Sequence, residues 1–211
     1  MPELIRFSQP QFKSLIWEIN ETSEQLFQEI QLSKSEIEMY QHLKTETRRR
    51  QWLAYRMALV ALNNGVHYPI SYDEFGKPYY ENGRAQISVS HSGGFAQAII
   101  SENISVGVDV EVLSETAYRV QKKFMSTDEI AFANSVDAKR ISLYAWCAKE
   151  AIYKAMGQQG VIFANDILLS DFNLVEKRAK GLFCFNKIEA CFELHFQEQS
   201  GFVSAMCWKT I

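Results

Sequence analysis

Gly107-Val108-Asp109-Val110-Glu111 and, further on, Trp146-Cys147-Ala148-Lys149-Glu150-Ala151-Ile152-Tyr153-Lys154 decide how this chain is read. The first stretch is a β-branched run carrying two acids two residues apart. Residues i and i+2 of a strand share a face, so Asp109 and Glu111 point the same way while Val106, Val108 and Val110 seek burial. The second stretch has helical spacing, and residues i and i+4 share a helix face, so Glu150 and Lys154 stand one above the other. Singly, each signal is weak. An Asp-x-Glu at a strand end is usually solvated, and a Glu-x-x-x-Lys pair is more often a surface ion pair of about a few tenths of a kcal/mol. Together they say more. Three carboxylates brought to one place repel unless a cation sits among them, and hard oxygen donors in that number suit Mg²⁺.

Working outward, Asp137 is a plausible cap for a long helix that runs to about Met156 and is closed by Gly157 and Gly160. A second long helix spans roughly Glu46 to Leu62, with Leu53, Met57, Val60 and Ala61 at helical spacing and Asn63-Asn64-Gly65 to end it. Ahead of it, residues 21–32 read as a polar helix, and Ser33-x-x-Glu36 has the spacing of a capping box that opens another. Residues 72–78 are a turn region, Gln86 to Ser90 alternates as a strand does, and His91-Ser92-Gly93-Gly94 reads as a loop. Residues 95–100 and 105–110 read as paired strands of a hairpin around Glu102-Asn103. Ser126-x-x-Glu129 opens a short helix, and residues 181–185, 190–196 and 202–208 look like an antiparallel meander. A long helix followed by strands thus occurs twice, without a clean sequence repeat. The expectation is an α+β protein of two similar lobes, each a long helix on a small antiparallel sheet, with boundaries at 1–103 and 104–211 and the acidic strand near the junction.

The composition fits this. The 211 residues are 47% hydrophobic and 22% charged with only 10 Gly and 4 Pro, so the chain is globular and has a sizeable core available. A net charge of −3 gives no overall field for a nucleic-acid backbone. No apolar run approaches the ~20 residues that span a bilayer, and Met1 to Arg6 has no signal-peptide pattern. Cys147, Cys184, Cys191 and Cys207 form no Cys-x-x-Cys pair, which argues against a zinc or redox site and fits a reducing, cytoplasmic setting.

Further residues invite chemistry. Lys77 sits in a Phe-Gly-Lys-Pro turn, where an ordinary exposed lysine is the simpler reading. Ser88-Val89-Ser90-His91-Ser92-Gly93 puts a histidine among hydroxyls at a strand end, suited to a phosphate, to a satisfied turn or, less readily, to a Ser-His pair. Arg49 and Arg56 share a helix face with Trp52 and Leu53, where they would reach one anion or form a solvated basic face. Glu129 completes a capping box.

In order, Arg-Arg-x-Trp-Leu-Ala-x-Arg (49–56), Phe-Gly-Lys-Pro (75–78), Ser-x-Ser-His-Ser-Gly (88–93), Gly-Val-Asp-Val-Glu (107–111), Phe-Met-Ser-x-x-Glu (124–129) and Trp-Cys-x-Lys-Glu-Ala-x-x-Lys (146–154) resemble the successive motifs of the Sfp-type 4′-phosphopantetheinyl transferases. The resemblance spans residues 45–160. It implies a pseudo-dimeric α+β fold with coenzyme A between the lobes, and Mg²⁺ held by Asp109, Glu111 and Glu150. Lys154 and His91 would contact the pyrophosphate. Lys77, Ser90, Arg49 and Arg56 would meet the nucleotide phosphates, with Glu129 and Lys149 as supporting residues behind the metal. Glu150 would be the general base and Lys154 would steady the leaving phosphate as the arm passes to a serine of an apo acyl or peptidyl carrier protein. The sequence departs from the family pattern at Cys147, often Ser or Thr, and at Tyr55, frequently Gly, which bears on helix packing. A magnesium-dependent nucleotide pyrophosphohydrolase and a non-catalytic carrier-binding homologue are the alternatives. A two-lobed chain permits a monomer.

Overall fold

The structure is a computed structural model that describes residues 3–210. The chain divides into two compact units, residues 1–104 and 105–211.

The first unit opens with a hairpin of β1 (Glu3–Gln9) and β2 (Phe12–Glu18), followed by α1 (Ser23–Glu29), α2 (Lys34–Gln41) and the long α3 (Glu46–Leu62). A small ribbon of β3 (Ile70–Tyr72) and β4 (Pro78–Tyr80) leads to β5 (Gln86–Ser92) and β6 (Phe95–Ser101). The main sheet has the order β1-β2-β6-β5. Trp52, Leu53 and Leu59 of α3 pack with Leu15 and Trp17 of β2 and Ala96 and Ala98 of β6 to make its core.

The second unit opens with β7 (Val106–Val112), followed by α4 (Thr116–Val120), a 3₁₀ turn over Gln121–Lys123, α5 (Thr127–Val136) and the long α6 (Ala138–Met156). A short α7 (Phe163–Asp166) precedes β8 (Ile167–Asn173), β9 (Arg178–Phe185), β10 (Ile188–Gln199) and β11 (Phe202–Lys209). The sheet order is β7-β11-β10-β9-β8, a meander whose last strand pairs with the first. Ala148, Ala151 and Ile152 of α6 share a core with Phe192, Leu194 and Phe196 of β10 and Val203 and Ala205 of β11. Small side chains on that face let the helix lie close to the sheet. Each unit is therefore a long helix on an antiparallel sheet.

Two sequence expectations need correction. Residues 95–100 and 105–110 do not pair. β6 lies between β2 and β5, whereas β7 pairs with β11. At Glu102-Asn103 the Ser101 hydroxyl donates to the Gln11 carbonyl and accepts from the Asn103 and Ile104 amides. That local turn leads the chain out of the first sheet instead of doubling it back. Nor are His91 and Ser92 in a loop. They belong to β5, opposite Ala96 and Phe95, because Gly93 at φ +53° lets a two-glycine turn close the hairpin tightly. The β1–β2 hairpin and β8 were not read from the sequence at all. β2 is buried almost throughout, with only Lys13 exposed, and lacks alternation, as expected of an inner strand.

One clasp occurs in both units. In the first, Ser33 and Glu36 form a complete capping box. The buried Glu36 carboxylate accepts from Arg56 of α3 (3.1 Å), His67 (2.8 Å), the Ile70 amide (3.2 Å) and the Ser33 amide (3.0 Å). In the second, Ser126 and Glu129 form the box, and Glu129 accepts from Lys149 of α6 (2.7 Å), the Leu169 amide (2.8 Å) and the Ser126 amide (2.8 Å). In each unit a capping-box glutamate ties a short helix, the long helix and the next strand together. The repeat is one of roles, which residue identity hides.

Burial alone would raise the Glu36 carboxyl, but hydrogen bonds from His67 and Ser33 with Arg56 beside it win and hold it at about 2. A folded-state value below the unfolded 4.5 gives stability that is fully present above that pH and is lost as pH falls toward 2. Glu36→Gln is expected to cost about 3 kcal/mol near neutrality, since it also strands a buried guanidinium. Urea melts from pH 6 to pH 2 check this: the gap between wild type and variant should close at the acid end.

Candidate active site

β7 is an edge strand, paired with β11 through Asp109 opposite Ala205 and Glu111 opposite Val203. Its Gly107, Asp109 and Glu111 alternate with the buried Val106, Val108 and Val110. A Cβ built on Gly107 would meet the Ala151 carbonyl oxygen at 1.9 Å, so the glycine face is the one turned to α6. Glycine is required there because the helix backbone occupies the space a side chain would take. The same contact brings Asp109 and Glu111 under the Cys147, Glu150, Ala151 and Lys154 side of α6.

Lys154 Nζ donates to Asp109 Oδ1 at 2.6 Å, and Asp109 is 3% exposed. Trp146 Nε1 donates to Glu111 Oε1 at 3.4 Å. The indole is packed edge-on by Phe124 (5.1 Å between centroids, 78°) and at a tilt by Phe163 (6.1 Å, 37°). Trp146 was not among the residues singled out from the sequence for the site, yet a part-buried indole N–H generally finds an acceptor, and that was the available signal for its contact with an acid. Burial pushes the Glu150 carboxyl up to about 7, with Lys154 opposing and Asp109 and Glu111 adding like charge. Burial also raises the Cys147 thiol, and Asp109 and Glu111 add to the effect. Cys147 is thus a neutral S–H beside the acids. The site gathers Asp109, Glu111, Glu150 and Lys154 within electrostatic reach of one another.

Among the described residues no group of three or more His, Cys, Asp or Glu is drawn together as a ready metal site. Lys154 is the cation that meets Asp109. The donors are nonetheless those a hard divalent ion takes, oxygen atoms of acids whose mutual repulsion such an ion would relieve.

Glu129 and Lys149 form the fully buried clasp of the second unit, where Lys149 Nζ also donates to the Phe163 carbonyl at 3.0 Å. Burial lowers the Lys149 ammonium from its usual value while Glu129 opposes. The pair fixes α5, α6 and α7, and with α7 the Phe163 ring against Trp146.

The other predicted residues belong to the first unit. Arg56, expected to share an anion with Arg49, is turned into the core. It is fully buried, with its guanidinium 3.3 Å from the Trp52 ring centroid, paired with Glu36 and donating to the Tyr55 hydroxyl at 2.6 Å. The sequence cannot show this, because Glu36 is brought in from another helix. Arg49 donates from Nε to the Leu43 carbonyl at 2.9 Å. The residue that reaches His91 is Arg48, one position earlier. Ser90 is buried on β5. The Lys77 amide donates to Asp73 Oδ1 in a turn where Gly76 has φ +81°.

Residues 105–207 match the 4′-phosphopantetheinyl transferase superfamily. No curated protein matches the chain. The matched stretch begins one residue before β7 and contains α6, the two elements that assemble the acidic cluster, and on this ground the second unit of the chain belongs to the 4′-phosphopantetheinyl transferase superfamily.

Proposed function

We propose that the protein transfers the 4′-phosphopantetheine arm of coenzyme A to a serine of an apo acyl or peptidyl carrier protein and releases adenosine 3′,5′-bisphosphate. The observation that carries this reading is the convergence of Asp109 and Glu111 on β7 with Glu150 and Lys154 on α6, inside the stretch that matches the superfamily. Asp109, Glu111 and Glu150 would hold Mg²⁺, which when bound neutralises charge on the pyrophosphate. Glu150, with a proton affinity near neutrality, takes the proton from the serine hydroxyl as its oxygen attacks the β-phosphorus. The bond from that phosphorus to the bridging oxygen breaks, and the electron pair leaves with the nucleotide. The Lys154 ammonium offsets the charge that builds on the departing phosphate. Trp146 holds Glu111 in orientation, and the Glu129–Lys149 clasp holds the helix that carries Glu150 and Lys154. His91 would serve the pyrophosphate, and Lys77, Ser90 and Arg49 the nucleotide phosphates. No helix among the described residues is long and apolar enough to cross a membrane, and a cytoplasmic enzyme fits the four free cysteines.

Mass spectrometry of candidate apo carriers after incubation with coenzyme A and Mg²⁺ tests the reading. The carrier should gain the arm, and chelation of the metal should abolish the gain. Free 4′-phosphopantetheine formed without a carrier would instead mark a pyrophosphohydrolase. Carrier binding without coenzyme A binding would mark a non-catalytic homologue.

A further inference from the structure

Tyr55 lies on α3 at a position where the sequence departs from the family pattern. The side chain is buried, and its ring lies nearly parallel to the His91 imidazole, 6.4 Å between centroids at 15°, within the range of offset stacking. The ring is fixed from several sides. Its hydroxyl accepts from Arg56 Nη1 at 2.6 Å and shares a 2.5 Å hydrogen bond with the Tyr72 hydroxyl. Its edge meets Trp52 at 6.4 Å and 61°. Arg56 is in turn held by Glu36. On β5, His91 is only half-buried and is reached by the Arg48 guanidinium. The interior network Glu36–Arg56–Tyr55–Tyr72 therefore ends in a flat aromatic face beneath a histidine that is open to solvent.

We propose that Tyr55 is a positioning residue for His91: its ring, pinned by Arg56 and Tyr72, holds the imidazole in the orientation in which it meets the phosphates of coenzyme A. This rests on the transferase reading. A rotating imidazole loses conformational freedom when it engages an anion, and a face that already fixes the ring removes part of that cost. A tyrosine doing nothing but fill the core would leave the ring's behaviour unchanged when replaced by an apolar residue of similar volume.

The test compares Tyr55→Leu, which fills the space without an aromatic face, with Tyr55→Phe, which keeps the face and loses the hydroxyl. In Tyr55→Leu the coenzyme A Kd is expected to rise about three- to tenfold, with kcat at saturation within about twofold of wild type; Tyr55→Phe should restore binding to within about twofold. The His91 Hε1 proton resonance, read without any ligand, should move in Tyr55→Leu and stay near its wild-type position in Tyr55→Phe. A Tyr55→Leu protein with wild-type coenzyme A affinity overturns the proposal, as does an unmoved His91 resonance. If wild type itself binds no coenzyme A, the transferase reading fails, and the nuclear Overhauser contacts of the His91 ring protons, compared between wild type and Tyr55→Leu, still decide whether Tyr55 orients His91: unchanged contacts to the rest of the pocket overturn the proposal. Should Tyr55→Leu not fold, nuclear Overhauser contacts between the Tyr55 and His91 rings in wild type decide. Their presence, with intact binding by Tyr55→Phe, supports the proposal, and their absence sinks it.

Discussion

Glu150→Gln is expected to lower the rate of carrier labelling by about 10³-fold or more while leaving the fold intact. One carboxylate is assigned two tasks, a share of Mg²⁺ and the serine proton, and an amide performs neither well. The same change should make the metal-free protein more stable. Glu150 is a carboxyl pushed up by burial and by the like charges of Asp109 and Glu111, and the amide removes one member of that repulsion. The prediction therefore has two readouts of opposite sign, turnover falling and the thermal midpoint rising. A surface glutamate would change neither. Mg²⁺ should raise the melting midpoint of wild type by mass action and do so much less in the variant. Labelling at near wild-type rate in Glu150→Gln would remove Glu150 from the site, and Asp109→Ala is the parallel test for the strand.

Gly107→Ala has the largest expected effect on stability, about 3 kcal/mol or more. The added Cβ would lie 1.9 Å from the Ala151 carbonyl oxygen, 2.8 Å from its carbon and 3.1 Å from the Ala155 nitrogen. All three are backbone atoms of α6, so no rotamer change relieves the clash, and strand and helix must separate. Asp109 and Glu111 are carried by the strand, so activity should fall further than the unfolded fraction explains. Gly94→Ala is the control, because a Cβ there meets nothing within 4 Å and the backbone angle is ordinary. Urea unfolding of the two variants decides the matter. Equal, near-zero shifts would mean that β7 and α6 are not packed as described.

Much of the helical framework was legible. The limits expected for the long helices, Glu46 to Leu62 and Asp137 to Met156, coincide with α3 and, after its Asp137 cap, with α6, which ends on Gly157 in the left-handed conformation. Capping boxes at Ser33 and Ser126 formed as read. These signals are local, since a cap acts within about one turn of the groups it satisfies. The common face of Asp109 and Glu111 was legible for the same reason. Strand pairing was not. The partner of β7 is β11, some ninety residues away, and no local pattern distinguishes it from β6, which lies next in sequence. Arg56 read as an anion-binding or solvated cation because the glutamate that holds it lies 20 residues away on another helix.

The sequence alone, then, determined the two long helices and their ends, the capping boxes, the alternation of the acidic strand and the residue types that bear the chemistry, since each depends on neighbours along the chain. Which strand lies beside which, which cations are sealed inside, and how closely α6 descends on Gly107 were decided only by tertiary structure. Those outcomes follow from burial and close packing between segments distant in sequence, whose energies appear only once the segments touch.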